Sequence, residues 1–284
     1  MIATGRQGNP AARWLTEALI ALAAFFFVMP VVLIFLTSLK PEAEIIRLDS
    51  LLPREPGVGI KENFGHIFGY PEEVPILRWV MNSVFISSCV TLLVLTVDSL
   101  AAYALSRLRP PGGRVVFAMI VATLMVPGQI LLVPVYLILN RLGWLDTPAA
   151  LIVPAGAGAF GVFLLSQFFK GIPKELEEAA MLDGCGPWRI YWHIMLPLSR
   201  PALATLAILT FIGSWNDFLG PLVFLDSVER YTLPVGVALF QGSYVNEYGL
   251  TLAASVVCTT PILVIFLLFS RHIIRGMAMA GLKE

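Results

Sequence analysis

The dominant pattern along this chain is a series of long apolar stretches separated by short polar segments. A helix needs about 20 mostly apolar residues to cross a hydrocarbon core of about 30 Å. Stretches of this length occur at Ala18–Leu39, Trp79–Leu105, Val115–Asn140, Thr147–Phe169, Pro201–Leu225 and Tyr248–Ser270. The pattern therefore predicts an all-α integral membrane protein with six transmembrane helices.

Two features qualify this pattern. The uncharged segment Tyr231–Asn246 is shorter and contains several polar and glycine residues, so we interpret it as an external loop or a re-entrant segment. Proline recurs inside the apolar stretches, and membrane helices tolerate it because neighbouring helices satisfy the freed backbone groups. These prolines are Pro30, Pro127, Pro134, Pro154 and Pro261.

Composition supports a membrane protein and gives it an orientation. Of the 284 residues, 57% are hydrophobic and 13% are charged, whereas soluble proteins carry about 25% charged residues. With the N-terminus in the cytoplasm, 12 of the 19 basic residues fall on the cytoplasmic side, which is the bias of short cytoplasmic loops. The first apolar run is too long for a signal peptide and lacks a small-residue cleavage site, so we expect an uncleaved first helix.

The same pattern divides the chain into three parts. We predict a cytoplasmic N-terminus at residues 1–14, a six-helix transmembrane domain at residues 15–275 and a cytoplasmic tail at residues 276–284. Both termini are then cytoplasmic, because six spans return the chain to the side on which it began.

Several chemistries lack their sequence signals. No Walker A sequence, zinc-protease HExxH, CxxC or G-x-S-x-G is present, and the three histidines and three cysteines lack metal-ligand spacing. The segment Gly156–Gly161 spells GxGxxG, but it lies inside an apolar stretch, where small residues favour close helix packing. We therefore predict no catalytic residues and no metal site.

Two carboxylates, Asp98 and Asp217, lie inside predicted spans. Ionisable groups within a membrane are expensive to bury, so they are candidates for function. We assign both, with Asn216, to a candidate translocation path. The alternative is that each carboxylate is structural and either pairs with a neighbouring helix or reaches water.

A polar segment separates the fourth and fifth predicted spans. Good helix-forming residues from Lys174 to Asp183 predict a short helix that Gly184 ends in a left-handed conformation. Pro187 can begin a second helix, which runs through Ile194. The small Ala179 and Ala180 leave one helix face slim, so this helix could enter a groove on another protein. The alternative is a solvated loop.

The segment also carries a spaced motif. Its residues resemble the EAA loop of ABC importer permeases, E-A-A-x3-G-x9-I-x-L-P, at Glu178, Ala179, Ala180, Gly184, Ile194, Leu196 and Pro197. The resemblance extends from about residue 15 to the C-terminus and is to the carbohydrate-uptake (MalG-type) branch. Further matching pieces are Leu142-Gly143, Ile172–Leu176, Trp215–Phe218, Tyr231–Gly236, Pro261-Ile262 and Gly276–Lys283.

The resemblance implies a fold and an assembly. The fold would be that of a type I ABC importer permease, with cytoplasmic EAA coupling helices at residues 171–200, in a bacterial or archaeal plasma membrane. Partners would be a second homologous permease, two ATPase subunits and an extracytoplasmic solute-binding protein. ATP and Mg would bind to the ATPases, so this chain would hold no cofactor. Asp183 would contact the ATPase together with the motif residues.

Two other functions remain open from the sequence. An ion-gradient-driven secondary transporter would need repeated broken helices and more ionisable groups in the spans. An intramembrane enzyme would need a catalytic pair or a metal set. The EAA spacing and the missing ATPase site favour a transport subunit for a sugar or polyol instead.

Overall fold

A computed structural model describes residues 10–47, 50–70, 74–243 and 247–281 of the protein. All regular secondary structure within these ranges is helical. The chain divides into two compact units, residues 1–74 with 240–257 and residues 75–239 with 258–284. This all-helical architecture agrees with the predicted fold class.

The first unit begins with one long helix and continues through short ones. Its helices are α1 (Pro10–Ser38), α2 (Glu42–Arg47), α3 (Pro56–Gly59) and α4 (Gly65–Gly69), with a π-helical turn at Ile60–Phe64. The buried Asn63 amide donates hydrogen bonds to the Ser38 and Lys40 carbonyl oxygens, at 2.8 and 2.9 Å. This side chain fixes the turn that follows α1.

The second unit contains most of the remaining helices. They are α5 (Ile76–Tyr103), α6 (Gly113–Ala122), α7 (Leu132–Leu142), α8 (Ala149–Ile152), α9 (Ala159–Gly171), α10 (Glu175–Leu182), α11 (Pro187–Ile190), α12 (Leu196–Leu198), α13 (Arg200–Trp215) and α14 (Leu219–Phe224). The last two helices, α15 (Leu233–Ser243) and α16 (Tyr248–Gly281), have residues in both units. A π-helical stretch at Ala104–Leu108 prolongs α5, and another at Tyr191–Met195 joins α11 to α12.

The core of the second unit forms where α5 packs against both α9 and α13. Buried apolar side chains from the three helices meet there, among them Val94, Leu165, Phe169 and Leu206. Close approach requires a small residue on α9, because a Cβ at Gly161 would collide with the carboxylate of Asp98. Small residues serve the same purpose at many membrane helix interfaces.

The predicted spans agree with the structure at the two ends of the chain and in α5. Trp14–Ser38, Ile76–Leu108 and Tyr248–Leu267 are each long and apolar enough to cross a membrane. Two further spans exist only if a bent pair of helices counts as one, Gly113–Met125 with Gly128–Leu142 and Pro187–Leu198 with Arg200–Trp215. The six-span count therefore stays a prediction.

Three predicted spans are interrupted. The third bends by 95° between Met125 and Gly128, because Val126 precedes a proline and adopts an extended conformation, with φ −88° and ψ 116°. The fourth is non-helical between Ile152 and Ala159, and the fifth is non-helical between Trp215 and Leu219, where α14 begins. Pro30 and Pro261, by contrast, lie inside continuous helices.

The structure differs from some of the other boundaries predicted from the sequence, and others lie outside the residues that it describes. The segment interpreted as a loop or re-entrant piece is helical over Leu233–Ser243, and its residues 244–246 lie outside the described ranges. The helix α16 continues past the predicted start of the tail at residue 276. Residues 1–9 and 282–284 also lie outside the described ranges, so the domain boundaries stay predictions.

Candidate functional site

The polar segment between α9 and α13 contains the helix that the sequence predicts. This helix, α10, begins just after Pro173, and three acidic residues in its first turn favour its N-terminal end. At its C-terminal end Gly184 has φ +80°. The Cys185 N–H donates to the Ala180 carbonyl oxygen and the Gly184 N–H to that of Met181, which is the Schellman pattern. Gly184 is required here because other residues are strained at positive φ.

The second half of the segment starts with a proline and ends in a sharp bend. Gly186 is extended and Pro187 occupies the first turn of α11. The chain then passes through α12 and bends by 76° into α13. Ile190 and Met195 are buried along this stretch. These two side chains attach the segment to the core of the second unit.

One row of residues on α5 and its π-helical extension holds both halves of the segment. The hydroxyls of Ser99 and Tyr191 lie 2.7 Å apart, and the Tyr103 hydroxyl donates to the Pro187 carbonyl oxygen at 3.2 Å. Arg107 donates to the Ile172 carbonyl oxygen at 2.6 Å. We call Ser99, Tyr103 and Arg107 the α5 row. Their spacing of four places them on one helix face.

The α5 row also contributes to a buried ion pair that the motif did not predict. Arg107 Nε lies 2.6 Å from Glu177 Oε1, and the two side chains are 5% and 10% exposed. The helix dipole favours an acidic residue such as Glu177 in the first turn of α10, but it indicates no partner for its side chain. The four-residue spacing in the α5 row was the available signal, but it does not identify a partner 70 residues away.

The opposite side of the segment is exposed. Glu178, Ala179 and Asp183 all face outward, and so do the large apolar side chains of Leu182 and Trp188, which are 90% and 66% exposed. We call these five residues the coupling face. It combines two carboxylates with apolar surface beside the slim Ala179 position, and such a combination is suited to docking on another protein.

The other motif residues lie between the coupling face and the core. Ala180 is buried, and Ile194 and Leu196 are partly buried and pack against the core of the second unit. Gly184 and Pro197 are exposed. Gly184 follows the end of α10, and Pro197 lies within α12. The motif thus combines exposed positions with anchoring ones.

Asp98 is a residue of α5, and its carboxylate reaches the start of α9. Its side chain is fully buried, and its carboxylate accepts the Gly158 N–H at 3.0 Å. Gly158 immediately precedes α9, so Asp98 satisfies one of the backbone donors that a helix leaves free at its N-terminus. This contact accords with the structural alternative considered for Asp98, and its assignment to a translocation path stays a prediction.

Asp217 lies elsewhere, beside a cavity of about 330 Å³. The carboxylate accepts the Gly220 N–H at 3.3 Å in the non-helical connection between α13 and α14. Hydroxyl residues Thr210, Ser214 and Thr232 also line the cavity. Asn216, which precedes Asp217 in the chain, is exposed. Asp98 is not among the residues that line this cavity. The structure therefore does not bring the two intramembrane aspartates together.

A further polar cluster, absent from the sequence predictions, joins two loops. The Asp146 carboxylate accepts the backbone N–H groups of Asp226 and Ser227 and the Ser227 hydroxyl, and it pairs with Arg230 at 3.1 Å. Burial acts to raise the pKa of Asp146, but these hydrogen bonds and the guanidinium outweigh it and hold the pKa below its ordinary value of 3.8. We call this cluster the 146–230 clamp.

Within the described residues, no group of three or more His, Cys, Asp or Glu side chains could hold a metal ion.

Comparison with known proteins matches this arrangement to one family. Residues 96–279 match the model of the binding-protein-dependent transport system inner membrane component family. The arabinooligosaccharides transport system permease protein AraQ of Halalkalibacterium halodurans is 37% identical and covers 98% of this chain and 99% of its own length. The trehalose/maltose transport system permease protein MalG of Thermococcus litoralis is also 37% identical, over 78% of this chain and 81% of its own.

A solved structure shows the same fold. It is a bacterial ABC transporter involved in the import of the acidic polysaccharide alginate, with a TM-score of 0.78 and 22% identity over 95% of this chain and 99% of that chain. Three observations indicate the same family. They are the spacing of the EAA motif, the apolar helices with their breaks, and the family match from α5 to α16. The chain belongs to the family of inner membrane components of binding-protein-dependent transport systems, the ABC importer permeases that its sequence resembles.

Proposed function

We propose that this chain is one of two permease subunits of an ATP-driven importer for a sugar or related polyol. The observation that carries the proposal is the two-sided polar segment at residues 171–200. One side is fixed to α5 by buried polar contacts, and the other side is an exposed coupling face. Membership in the family favours this function over an ion-gradient-driven transporter.

The coupling face would dock on an ATPase subunit. Glu178 would make the ionic contact, while Ala179 leaves room for close approach and Leu182 and Trp188 supply apolar area. Asp183 and Gly184 would shape the end of the docked helix. ATP and Mg would bind to the ATPase, and this chain would contribute no catalytic residue.

Movement would pass from the coupling face to the spans through the α5 row. Displacing α10 moves Glu177, and Arg107 transmits that displacement to the end of α5 because their ion pair is buried and short. Tyr103 and Ser99 link the second half of the segment to the same helix. A ligand that favours one arrangement of the ATPases then shifts the populations of the permease states.

The cavity beside Asp217 would belong to the translocation path. A carboxylate accepts hydrogen bonds from sugar hydroxyls, and the hydroxyls of Thr210 and Ser214 can both donate and accept them. Its volume lies at the lower end of ligand pockets, about 300–1,000 Å³. Asn216 would extend this polar lining.

The names of relatives support a saccharide substrate. Relatives are named for arabinooligosaccharides, for trehalose and maltose, and, in Streptomyces coelicolor at 32% identity, for diacetylchitobiose. We therefore propose a neutral oligosaccharide, delivered by an extracytoplasmic binding protein to a pore formed with a second permease. Both termini would be cytoplasmic in the plasma membrane of a bacterium or archaeon.

The assembly is tested by purifying the tagged chain from its native membrane in mild detergent and identifying every protein that accompanies it. We expect an ATPase with a Walker sequence, a second EAA permease and a binding protein whose sugar can then be screened. Recovery of the chain alone, or as a homo-oligomer active in ion-driven uptake, would contradict the proposal.

A further inference from the structure

A second cavity lies beside the end of α5, and Glu177 is not among the residues that line it. Its volume is about 490 Å³, and its walls come from the Ala104–Leu108 stretch, the turn before α6, and the last turns of α9. Two residues of the turn have left-handed backbone conformations, Arg109 with φ 48° and Gly112 with φ 78°. The turn folds back on itself between α5 and α6, which leaves the cavity open beside it.

The charge of the cavity is strongly positive. Arg109, Arg114 and Lys170 line it, and no acidic residue does. Among the residues that the structure describes, the ion pairs Arg107–Glu177 and Arg230–Asp146 include none of the three. The Lys170 ammonium instead lies over the Phe117 ring, 4.9 Å from its centre. Three positive charges around one cavity repel each other. An anion bound between them would lower the electrostatic free energy of the three side chains.

A buried hydroxyl lines the same cavity. The Ser166 side chain is on α9, its residue is 1% exposed, and its Oγ has no hydrogen-bond partner among the residues that the structure describes. Leaving a buried donor without a hydrogen-bond partner is unfavourable. An acceptor bound in the cavity would remove that penalty, so the hydroxyl is evidence for a ligand that is independent of the charges.

The position of the cavity along α6 indicates the source of the anion. Immediately after Arg114, α6 presents apolar side chains outward, with Val115 62% and Met119 58% exposed. Such side chains face lipid in a membrane helix, so Arg114 lies at the depth where headgroups begin. Basic pockets between helices at this depth bind anionic headgroups.

We propose that this cavity binds a phosphate group, carried by an anionic phospholipid headgroup. Arg109 and Arg114 would grip the phosphate oxygens with paired N–H donors, which suit tetrahedral oxyanions better than a lone ammonium does. Lys170 would add a third charge, and Ser166 would donate its hydroxyl. Free inorganic phosphate shares this chemistry and is the second possible source. The proposal is independent of the transported substrate.

The test uses the complete complex in nanodiscs of phosphatidylcholine and measures bound phosphatidylglycerol by native mass spectrometry. The variant combines Arg109→Gln, Arg114→Gln and Lys170→Gln. Its control combines Arg54→Gln, Arg78→Gln and Arg141→Gln, which removes the same charge from positions outside the cavity. A separate arm supplies inorganic phosphate without phosphatidylglycerol and reads protection of Arg109 and Arg114 from arginine-modifying reagents.

We expect the triple variant to bind phosphatidylglycerol on the order of 100-fold more weakly, since each basic side chain contributes about a factor of five near an anionic surface. Ser166→Ala, which leaves every charge in place, should weaken binding about 5-fold. The control should bind as the unmodified complex does. Phosphate-dependent protection in the separate arm would support the same site with free phosphate as its source.

Equal losses in the triple variant and its control would overturn the proposal, since binding would then follow net charge alone. Unchanged lipid binding, together with loss of the accompanying ATPase from the triple variant, would also overturn it, because the cavity would then be a protein-docking surface. If the triple variant does not assemble, Ser166→Ala still tests the proposed site. Unchanged phosphatidylglycerol binding by Ser166→Ala would count against the site.

Discussion

Glu177 and Glu178 are consecutive, yet the fold gives them opposite surroundings. Glu177 is buried in an ion pair with Arg107, whereas Glu178 is exposed on the coupling face. Neighbouring positions on a helix are about 100° apart, so one can face the core while the other faces a partner. Glu177 is therefore engaged within the chain, whereas Glu178 stays accessible for the proposed contact with an ATPase.

Glu178→Lys should abolish transport while leaving membrane insertion intact, because it reverses the charge offered to the ATPase without touching the core. Uptake of labelled sugar by cells or proteoliposomes, with immunoblotting of the membrane fraction, measures both. Glu229→Lys, an equal change at an exposed acidic residue in the Val228–Arg230 turn, should leave uptake near normal. Normal uptake by Glu178→Lys would refute its coupling role.

Removing one partner of the buried ion pair should be more harmful than removing both. Arg107→Met or Glu177→Leu alone leaves a buried charge unpaired, which destabilises by about 3–5 kcal/mol. The double variant leaves apolar side chains and should recover part of that loss. Thermal unfolding of the purified complex compares the three, with binding-protein-stimulated ATPase activity as the second readout. Losses in the double variant that equal the sum of the single ones would show that the pair does not interact.

Asp217→Asn should change sugar uptake more than it changes assembly, because the substitution removes a charge from the cavity lining and keeps the side-chain shape. Uptake is measured over a range of sugar concentrations, together with the yield of complex. Asp226→Asn, at an exposed position outside that cavity, is the control. Unchanged uptake and apparent affinity in Asp217→Asn would assign the residue a structural role.

At the scale of elements, apolar length predicted where helices lie better than where they break. The stretches containing α1, α5 and α16 are long helices, as predicted. Pro127 breaks its helix and Pro261 does not, although both stand in apolar surroundings. The difference depends on which neighbours satisfy the freed backbone groups, and that information is tertiary. Hydropathy alone does not contain it.

In the polar segment at residues 171–200, too, the sequence predicted local structure but not the contacts with distant residues. The segment's first helix and its left-handed end followed from local residues, the helix formers from Lys174 to Asp183 and the glycine at Gly184. The exposure of Glu178 agrees with the docking role assigned to it. The contacts of the α5 row could not be predicted from local residues, because partners such as Tyr103 and Pro187 are 84 residues apart in the chain. Only the fold brings such residues together, and a single sequence gives no direct signal of the pairing.

Gly184→Ala tests the left-handed end of α10. The position has open space around it, so the only penalty is backbone strain at φ +80°, about 1–2 kcal/mol. Gly186→Ala is the matched control, because Gly186 is equally open but has φ −76°. Hydrogen exchange of the 175–185 amides should speed up in Gly184→Ala only. Equal exchange in the two variants would show that the strain is absorbed elsewhere.

At the scale of the whole molecule, connections between helices need their own polar contacts. The 146–230 clamp ties the turn after α7 to the connection after α14. An ionised Asp146 accepts all these hydrogen bonds, whereas a protonated one accepts fewer and loses its attraction to Arg230. The clamp is therefore stable only while that carboxylate is charged.

Acid should open the 146–230 clamp at a lower pH than an ordinary aspartate would allow. Because the pKa of Asp146 in the folded protein lies below 3.8, its stabilising contribution is present at neutral pH and lost as the pH falls through that depressed value. Protease cleavage at residues 225–231 should thus stay slow from pH 7 to about pH 4. Asp146→Asn should be cleaved faster at neutral pH, with no further acid-dependent opening. Asp226→Asn is the control, and acid opening near pH 6 in the unmodified protein would contradict the assignment.

The break at Pro127 has a consequence for the biogenesis of the protein. Backbone groups freed at a bend cannot remain against lipid tails, so another protein surface or water must cover them. The side chains around this bend are prominently exposed, with Met125 85% and Ile130 66% exposed. A chain synthesised in excess of its neighbours would keep this defect uncovered. If the chain assembles as proposed, cellular quality control would recognise copies that lack their partner subunits. Balanced synthesis of the subunits would then be a condition for the survival of each copy.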